Sequence, residues 1–243
     1  ECSKRELPEL FSIARLSVGS AGLITRIKMK LQESVVLGEQ IHAASYGDTF
    51  DQITSLAEND RFEFFWYPGT DEANIKIINP VATEPEYPLA EEGGRVAWSY
   101  EVLPNHRPHL HTEMEYSVPA ANGPACFAEI RHLIHRHFPN VQWPVEYRTV
   151  AADDIWLSMA SDRDTVTISV HQDIKLDEEP YYRACEEVFL AYGGRPHWGK
   201  VNYLNGDDFA QIYPRWHDWW RVRDKYDPEG VFLNDYARGL RPR

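Results

Sequence analysis

Apolar residues recur along this chain in blocks of helical or alternating spacing, and from residue 35 a unit of strand, helix, strand and strand can be read twice. In the first copy a strand over 35–43 leads to a helix from Asp48 that places Phe50, Ile53, Leu56 and Ala57 on one stripe. A strand with Phe62, Phe64 and Trp66 on one face follows, then another around 75–78. The second copy has a strand over 110–118 and a helix opened by Pro124. That helix carries Phe127, Ile130, Leu133, Ile134 and Phe138 on one stripe and is stopped by Pro139. Strands over 145–150 and 165–171 complete the copy, the second with Val166, Ile168 and Val170 turned inward. A further helix from about Pro180 ends at Gly193 and Gly194. This pattern predicts an α+β fold, with one large mixed, mostly antiparallel sheet and helices on one face.

The flanks differ in texture. Residues 10–27 read as a short helix, a glycine turn and a strand, closer to the tail of a domain than to its start. Residues 83–97, with Pro85, Pro88, Gly93 and Gly94, read as an exposed connection between the two copies. From Arg195 the chain turns to Trp, Tyr and Arg with two short helical stretches, a separate packing unit. The boundaries are therefore drawn at 1–32, 33–194 and 195–243.

Composition narrows the function classes. The 243 residues are 43% hydrophobic and 13% aromatic, enough to fill a core. A formal charge of -13 repels phosphate backbones and anionic lipid, which argues against a nucleic-acid partner. Apolar runs fall far short of the roughly 20 residues that span a bilayer. Cys2, Cys126 and Cys185 are odd in number and widely spaced, so no disulfide framework is expected, and Cys126 and Cys185 read as reduced thiols in helix cores. The chain opens at Glu1 with no initiator Met and no signal segment, which reads as a fragment or a processed piece with the cytoplasm as default compartment.

The densest polar segment runs over residues 106–119. As a strand it would place His109, His111, Glu113 and Glu115 on one face, with Leu110, Thr112 and Met114 on the other. Such a row needs water, a ligand or partners. It is a solvated face, a cavity-lining row for a polar substrate, or a metal site. Successive residues on one strand diverge and no CxxC or HExxH run is present, so no metal is expected. The loop Arg195, Pro196, His197, Trp198, Gly199, Lys200 sets an imidazole and a cation close together after a helix stop. Gly19, Ser20 and Gly22 form either an ordinary turn or a close approach to a phosphate or ring; they are not the dinucleotide fingerprint.

Taken together, these segments resemble the aldonolactone oxidase branch of the vanillyl-alcohol oxidase flavoproteins, sugar-1,4-lactone oxidases of the gulonolactone and arabinonolactone type. The resemblance rests on five stretches in the right order: residues 11–27, 111–119, 150–172, 195–200 and 213–236. The run from Pro196 to Lys200 followed by Asp227, Pro228, Gly230, Phe232 and Asn234 is its most specific part. It implies an FAD cofactor and oxidation of a CH–OH group beside a lactone carbonyl, with hydride passing to the flavin and dioxygen reduced to hydrogen peroxide. It also implies that residues 1–32 end an FAD-binding domain whose phosphate loop and flavin-linking histidine are missing, that 33–194 is the substrate domain, and that 195–243 returns to the flavin. On this resemblance Lys200, His197 and Glu115 are the catalytic candidates. Glu113, Glu115, His111 and Arg195 would bind a sugar lactone or polyol; Gly19, Ser20, Gly22, Ile24, His197 and Lys200 would meet the cofactor. Ser117 stands where some relatives carry a charged side chain that helps to grip the substrate.

Three other readings remain open. The chain is a non-catalytic sugar-binding module using its 8 Trp and 13 Tyr, a dehydrogenase passing electrons to a cytochrome or quinone, or one chain of a two-chain enzyme. The last predicts exposed apolar surface at Phe11, Ile13 and Leu16 and around Trp216, Trp219 and Trp220.

Overall fold

The computed structural model describes residues 1–105 and 108–242. Among them is an eight-stranded sheet built from β1 (Val36–Ser45), β2 (Arg61–Tyr67), β3 (Glu72–Pro80), β4 (Val96–Trp98), β5 (His111–Pro119), β6 (Val145–Val150), β7 (Thr165–Asp173) and β8 (Arg195–Pro196). The strand order is β4-β1-β3-β2-β6-β7-β5-β8, and each neighbouring pair is antiparallel. The repeat seen in the sequence is visible in that order. Each copy contributes first, third and second strand side by side, and the two second strands, β2 and β6, meet at the centre, so the halves mirror one another about that seam.

One face of the sheet is oily because period-two alternation puts the large apolar side chains there. Phe62, Phe64, Trp66, Ile75, Met114, Tyr116, Tyr147, Ile168 and Val170 are all buried beneath α2 (Tyr46–Asp51), α3 (Ile53–Leu56), α5 (Gly123–His137) and α6 (Glu179–Ala191). Helix α5 starts at Gly123 because a side chain there would meet Val166 Cγ2 at 2.6 Å and the Tyr147 hydroxyl at 3.0 Å. Pro124 supplies its first turn, and Cys126, Phe127, Ile130 and Ile134 form the buried stripe. Cys126 and Cys185 are free and buried in α5 and α6, as expected.

A second core lies elsewhere. Helix α1 (Pro8–Ala14) packs against α8 (Trp216–Tyr226), and Ile13, Leu157, α7 (Gly206–Ile212), Leu233 and Leu240 close around them; α9 (Asp235–Gly239) follows. Ile13, Trp216, Trp219 and Trp220 are therefore buried, not the exposed surface that the two-chain reading calls for, because α1 and α8 cover each other.

Two further expectations change. No strand forms after the glycine turn: residues 22–34 take no sheet hydrogen bonds, and Leu23, Ile27, Met29 and Leu31 stand 69–80% exposed. A strand needs a neighbour to satisfy its backbone, and no described strand lies beside this one. The connection over 83–97 is not wholly exposed, since its end becomes edge strand β4, which follows Arg95 and leads into α4 (Ser99–Val102). Glu39 of β1 draws it in. Its carboxylate takes Arg95 Nε and Nη2, both at 2.7 Å, the Gly93 N–H at 2.8 Å and Lys76 Nζ at 3.1 Å.

Burial pushes the Glu39 carboxyl up, but Arg95, the Gly93 N–H and Lys76 outweigh it and bring it down to about 2 from 4.5. A depressed carboxyl stabilises the fold fully above its unfolded value and loses that contribution as pH falls through the folded one. Resistance to urea should therefore fall as pH drops from 4.5 toward 2. In Glu39→Gln the protein should lose of the order of 2 kcal/mol at pH 7, solvent screening taking part of the shift, and should show a flatter acid limb.

Candidate functional site

The face of the sheet opposite the helices is polar and yet largely shut off from water. Thr165, Thr167, Ser169 and His171 of β7 and Glu115 and Ser117 of β5 are each no more than 4% exposed. The covering comes from the loop between β6 and β7 and from the tail after β8. Asp153 shapes the loop by accepting the Ile155 N–H at 2.8 Å and the Ser158 hydroxyl at 2.5 Å. Trp198 then ties loop to tail, its indole N–H donating to the Leu157 carbonyl at 2.7 Å.

Lys200 reaches this face through backbone geometry. After β8 the chain keeps following β5: the His197 N–H donates to the Glu115 carbonyl at 2.9 Å and the Val201 N–H to the Glu113 carbonyl at 3.0 Å. The three residues between bulge outward, closed by the Lys200 N–H on the His197 carbonyl at 3.1 Å. This sets the Lys200 ammonium directly on Glu113 Oε2. Around the same carboxylate stand His111 Nε2 at 3.7 Å and His171 Nε2 at 3.6 Å. Burial raises the Glu113 carboxyl, but the neighbouring His171 and Lys200 overcome that and hold it far below the usual carboxylate range.

Two residues along the strand, Glu115 is tied differently. The Ser169 hydroxyl donates to it at 3.0 Å, and Arg148 of β6 reaches it at 3.5 Å while also pairing with Glu146 at 3.2 Å. Arg148 then lines a cavity of about 290 Å³ together with Glu63, Lys76, Asn105 and Arg61. A band of charge thus runs across the sheet from Lys200 to Lys76.

The predicted site residues divide clearly. His111, Glu113 and Lys200 come together, and Glu115 lies beside them. His109 precedes β5 and is not on the row, while His106 and Arg107 lie outside the described residues. Arg195 is turned away: it is 5% exposed and donates to the backbone carbonyls of Ile212 and Ser161, both at 2.9 Å. His197 Nδ1 accepts the Gly199 N–H at 3.0 Å, so in the neutral ring the proton sits on Nε2 and the outer edge of His197 donates. Sequence reading missed His171, Ser169, Arg148 and Glu146. The polar alternation of Ser169 and His171 with Val166, Ile168 and Val170 was legible; the pairing of Glu113 with His171 and Glu115 with Ser169 was not.

The glycine turn is built as a surface. Gly19 (φ +75°) and Gly22 (φ +120°) occupy the left-handed region, and a side chain at either would meet nothing within 4 Å. Ser20 is buried and donates to the Ser17 carbonyl at 2.6 Å, while its own carbonyl accepts Arg223 Nε at 3.1 Å. Fully buried Arg223 is held in turn by Asp227, whose carboxylate also accepts the N–H groups of Val231 and Phe232 at 2.9 and 3.0 Å. The Asp-Pro-Glu-Gly run is thus the brace beneath the turn. Ser17 and Ser20 share a small apolar crevice with Trp198, two residues from Lys200. Ile24 is half exposed beyond it.

A family model described as D-arabinono-1,4-lactone oxidase matches residues 87–240. The chain belongs to this family. The family is the aldonolactone oxidase branch of the VAO-type flavoproteins, and FAD is its cofactor. The L-gulono-1,4-lactone dehydrogenase of Mycobacterium tuberculosis is 30% identical over 265 residues, covering 93% of this chain and 62% of that protein. The L-gulonolactone oxidase of Scyliorhinus torazame is 26% identical, covering 97% and 64%. Cholesterol oxidase from B. sterolicum shares the fold, with a TM-score of 0.75 at 15% identity over 88% of this chain and 61% of that one. The chain thus spans somewhat under two thirds of the length of these relatives. No helix among the described residues is long and apolar enough to cross a membrane.

If the brace holds the turn, Asp227→Asn should lower the thermal midpoint by about 4 °C or more, because buried Arg223 loses its carboxylate. Amide exchange at Ser20 should accelerate in the same variant. Glu229→Ala, exposed on the same run, should leave both unchanged.

Proposed function

We propose that this chain is the substrate side of an FAD-dependent oxidoreductase that oxidises an aldono-1,4-lactone, or a related sugar alcohol, at a CH–OH group. The observation that carries this reading is the Lys200 ammonium fixed on a buried, ionised Glu113 within a polar sheet face, where uncharged water-like groups would have sufficed for stability. Family membership supplies the reaction class.

The residues present suit a flavin at two points, the bare backbone of Gly19 and Gly22 and the cation at Lys200. Together with Ser20, Ile24 and His197 these are the groups proposed to meet it. A bound FAD would supply the hydride acceptor, and the hydroxyl proton would pass to the Glu115 carboxylate. Lys200 keeps two N–H donors beyond the one on Glu113 and turns them to the substrate oxygen, favouring its alkoxide form and balancing negative charge on the cofactor. Glu113 fixes the direction of that ammonium. Glu115, held by Ser169 and Arg148, accepts from substrate hydroxyls, with His111 at the rim; His197 donates from Nε2. Arg195 serves as a clamp on the tail that carries Lys200.

Dioxygen is the acceptor in this reading, with hydrogen peroxide as product. The match to a protein named a dehydrogenase favours a second reading in which a cytochrome or quinone takes the electrons. Residues 23–31 alternate apolar Leu23, Ile27, Met29 and Leu31 with basic Arg26, Lys28 and Lys30, the pattern of a strand that lacks a neighbour. We propose that an FAD-binding part of the protein, in the same or another chain, supplies it.

With that part present, L-gulono-1,4-lactone should bleach the flavin band anaerobically, and air should restore it with release of peroxide. Recovery only with a cytochrome or quinone dye would select the dehydrogenase. Lys200→Met should cut turnover by at least about 100-fold; a change within twofold would remove Lys200 from this role. Residues 1–243 alone should bind a hydrophobic dye, and Ile27→Ser with Met29→Ser should abolish that binding; a monodisperse, dye-free parent would count against the missing neighbour.

A further inference from the structure

The two imidazoles facing Glu113 are fixed in orientation by the backbone. His111 Nδ1 lies 2.9 Å from the His109 carbonyl oxygen, and His171 Nδ1 lies 2.7 Å from that of Pro144. A carbonyl oxygen only accepts, so Nδ1 bears hydrogen in both rings. In the neutral ring Nε2 is then a lone pair. Both Nε2 atoms point at the Glu113 carboxylate, at 3.7 and 3.6 Å. Electron pairs gathered around an ionised carboxylate repel unless a positive centre lies among them. The Lys200 ammonium fills that need from one side, on Oε2.

We propose that His111, Glu113 and His171 also form a site for a divalent transition-metal ion of the zinc class, in competition with the Lys200 ammonium. One ligand atom from each lies within 4.8 Å of the others. Four ligands at about 2.1 Å around zinc stand about 3.4 Å apart, so side-chain rotations that draw the three atoms in from their 4.8 Å limit would meet that spacing. A backbone carbonyl on the distal N–H is the usual support of a metal-bound imidazole. The scaffold is stiff, because Glu113 and His171 are direct partners across β5 and β7. Two imidazoles and one carboxylate suit zinc, cobalt or ferrous iron. The fourth position opens toward Lys200, whose side chain is 30% exposed and sits on a loop from which it can withdraw. The metal-bound form takes Glu113 from Lys200 and so opposes the redox role proposed above, although the site stands on its own geometry and does not rest on that role.

The test is a titration of the protein with Co²⁺ alone at neutral pH, followed by its visible d–d bands, with Zn²⁺ as competitor. One saturable, zinc-displaceable Co²⁺ per chain is expected. His171→Gln and His111→Asn should each weaken binding by about tenfold or more, and Lys200→Met should tighten it about tenfold because the competing charge is gone. His132 and His135, exposed on α5, could chelate an ion weakly, and the His132→Asn, His135→Asn double variant should leave the titration unchanged. Lys200→Met keeps the test decisive should a histidine variant fail to fold, since Lys200 lies on a half-exposed loop. Absence of a saturable band, its persistence in His171→Gln, its loss in the α5 variant, or weaker binding in Lys200→Met would each overturn the proposal.

Discussion

A sheet that hides much of both its faces from water must compensate the charge it buries there, and the architecture here follows from that requirement. The oily face needs only close packing under α2, α5 and α6. The other face holds Glu39, Glu115, Glu146 and, at its margin, Glu113, so each carboxylate has to find a cation or donor within the fold. Strand pairing delivers those partners in register: Arg148 stands opposite Glu63 and Thr167, Ser169 opposite Glu115, and His171 opposite Glu113.

The same requirement builds the loops. Glu39 recruits Arg95 and the Gly93 backbone and so converts the end of a connection into an edge strand. Glu113 receives Lys200 because the chain after β8 continues along β5 with a three-residue bulge. Buried Arg223 is anchored by Asp227 and reaches across to the Ser20 carbonyl, so a charge on the last long helix fixes a turn near the start of the chain. Packing of α1 on α8 brings those two distant segments together, and the tryptophans between them act as mortar more than as a sugar platform.

Polar groups that carry chemistry therefore gather where stability and function compete. A hydrophobic replacement at Glu113 or Glu115 would relieve a desolvation cost, whereas the protein keeps paired charge in a water-poor site. That is the setting in which an ammonium acts strongly on a substrate oxygen. The unpaired alternating segment over 23–31 marks the opposite case, backbone and apolar side chains left without the neighbour that would cover them.

Much of the fold was legible from periodicity alone. Alternation identified the oily faces of β2 and β7, proline and glycine bounded α5 and α6, and the doubled strand-helix-strand-strand unit foretold one large, mostly antiparallel sheet with helices on one face. The polar run around His111 and Glu113 and the loop at Lys200 were also visible, since clustered charge within a few residues is a local property. Tertiary structure alone decided which of these groups meet. Register between strands far apart in sequence placed His171 on Glu113 and Arg148 near Glu115, the course of the tail turned Arg195 into a backbone clamp, and packing of α1 on α8 buried Trp216 and Trp220. Sequence spacing specifies the face a side chain occupies, because that depends on one strand's own geometry; its partners depend on how strands are ordered and aligned, which only the folded chain determines.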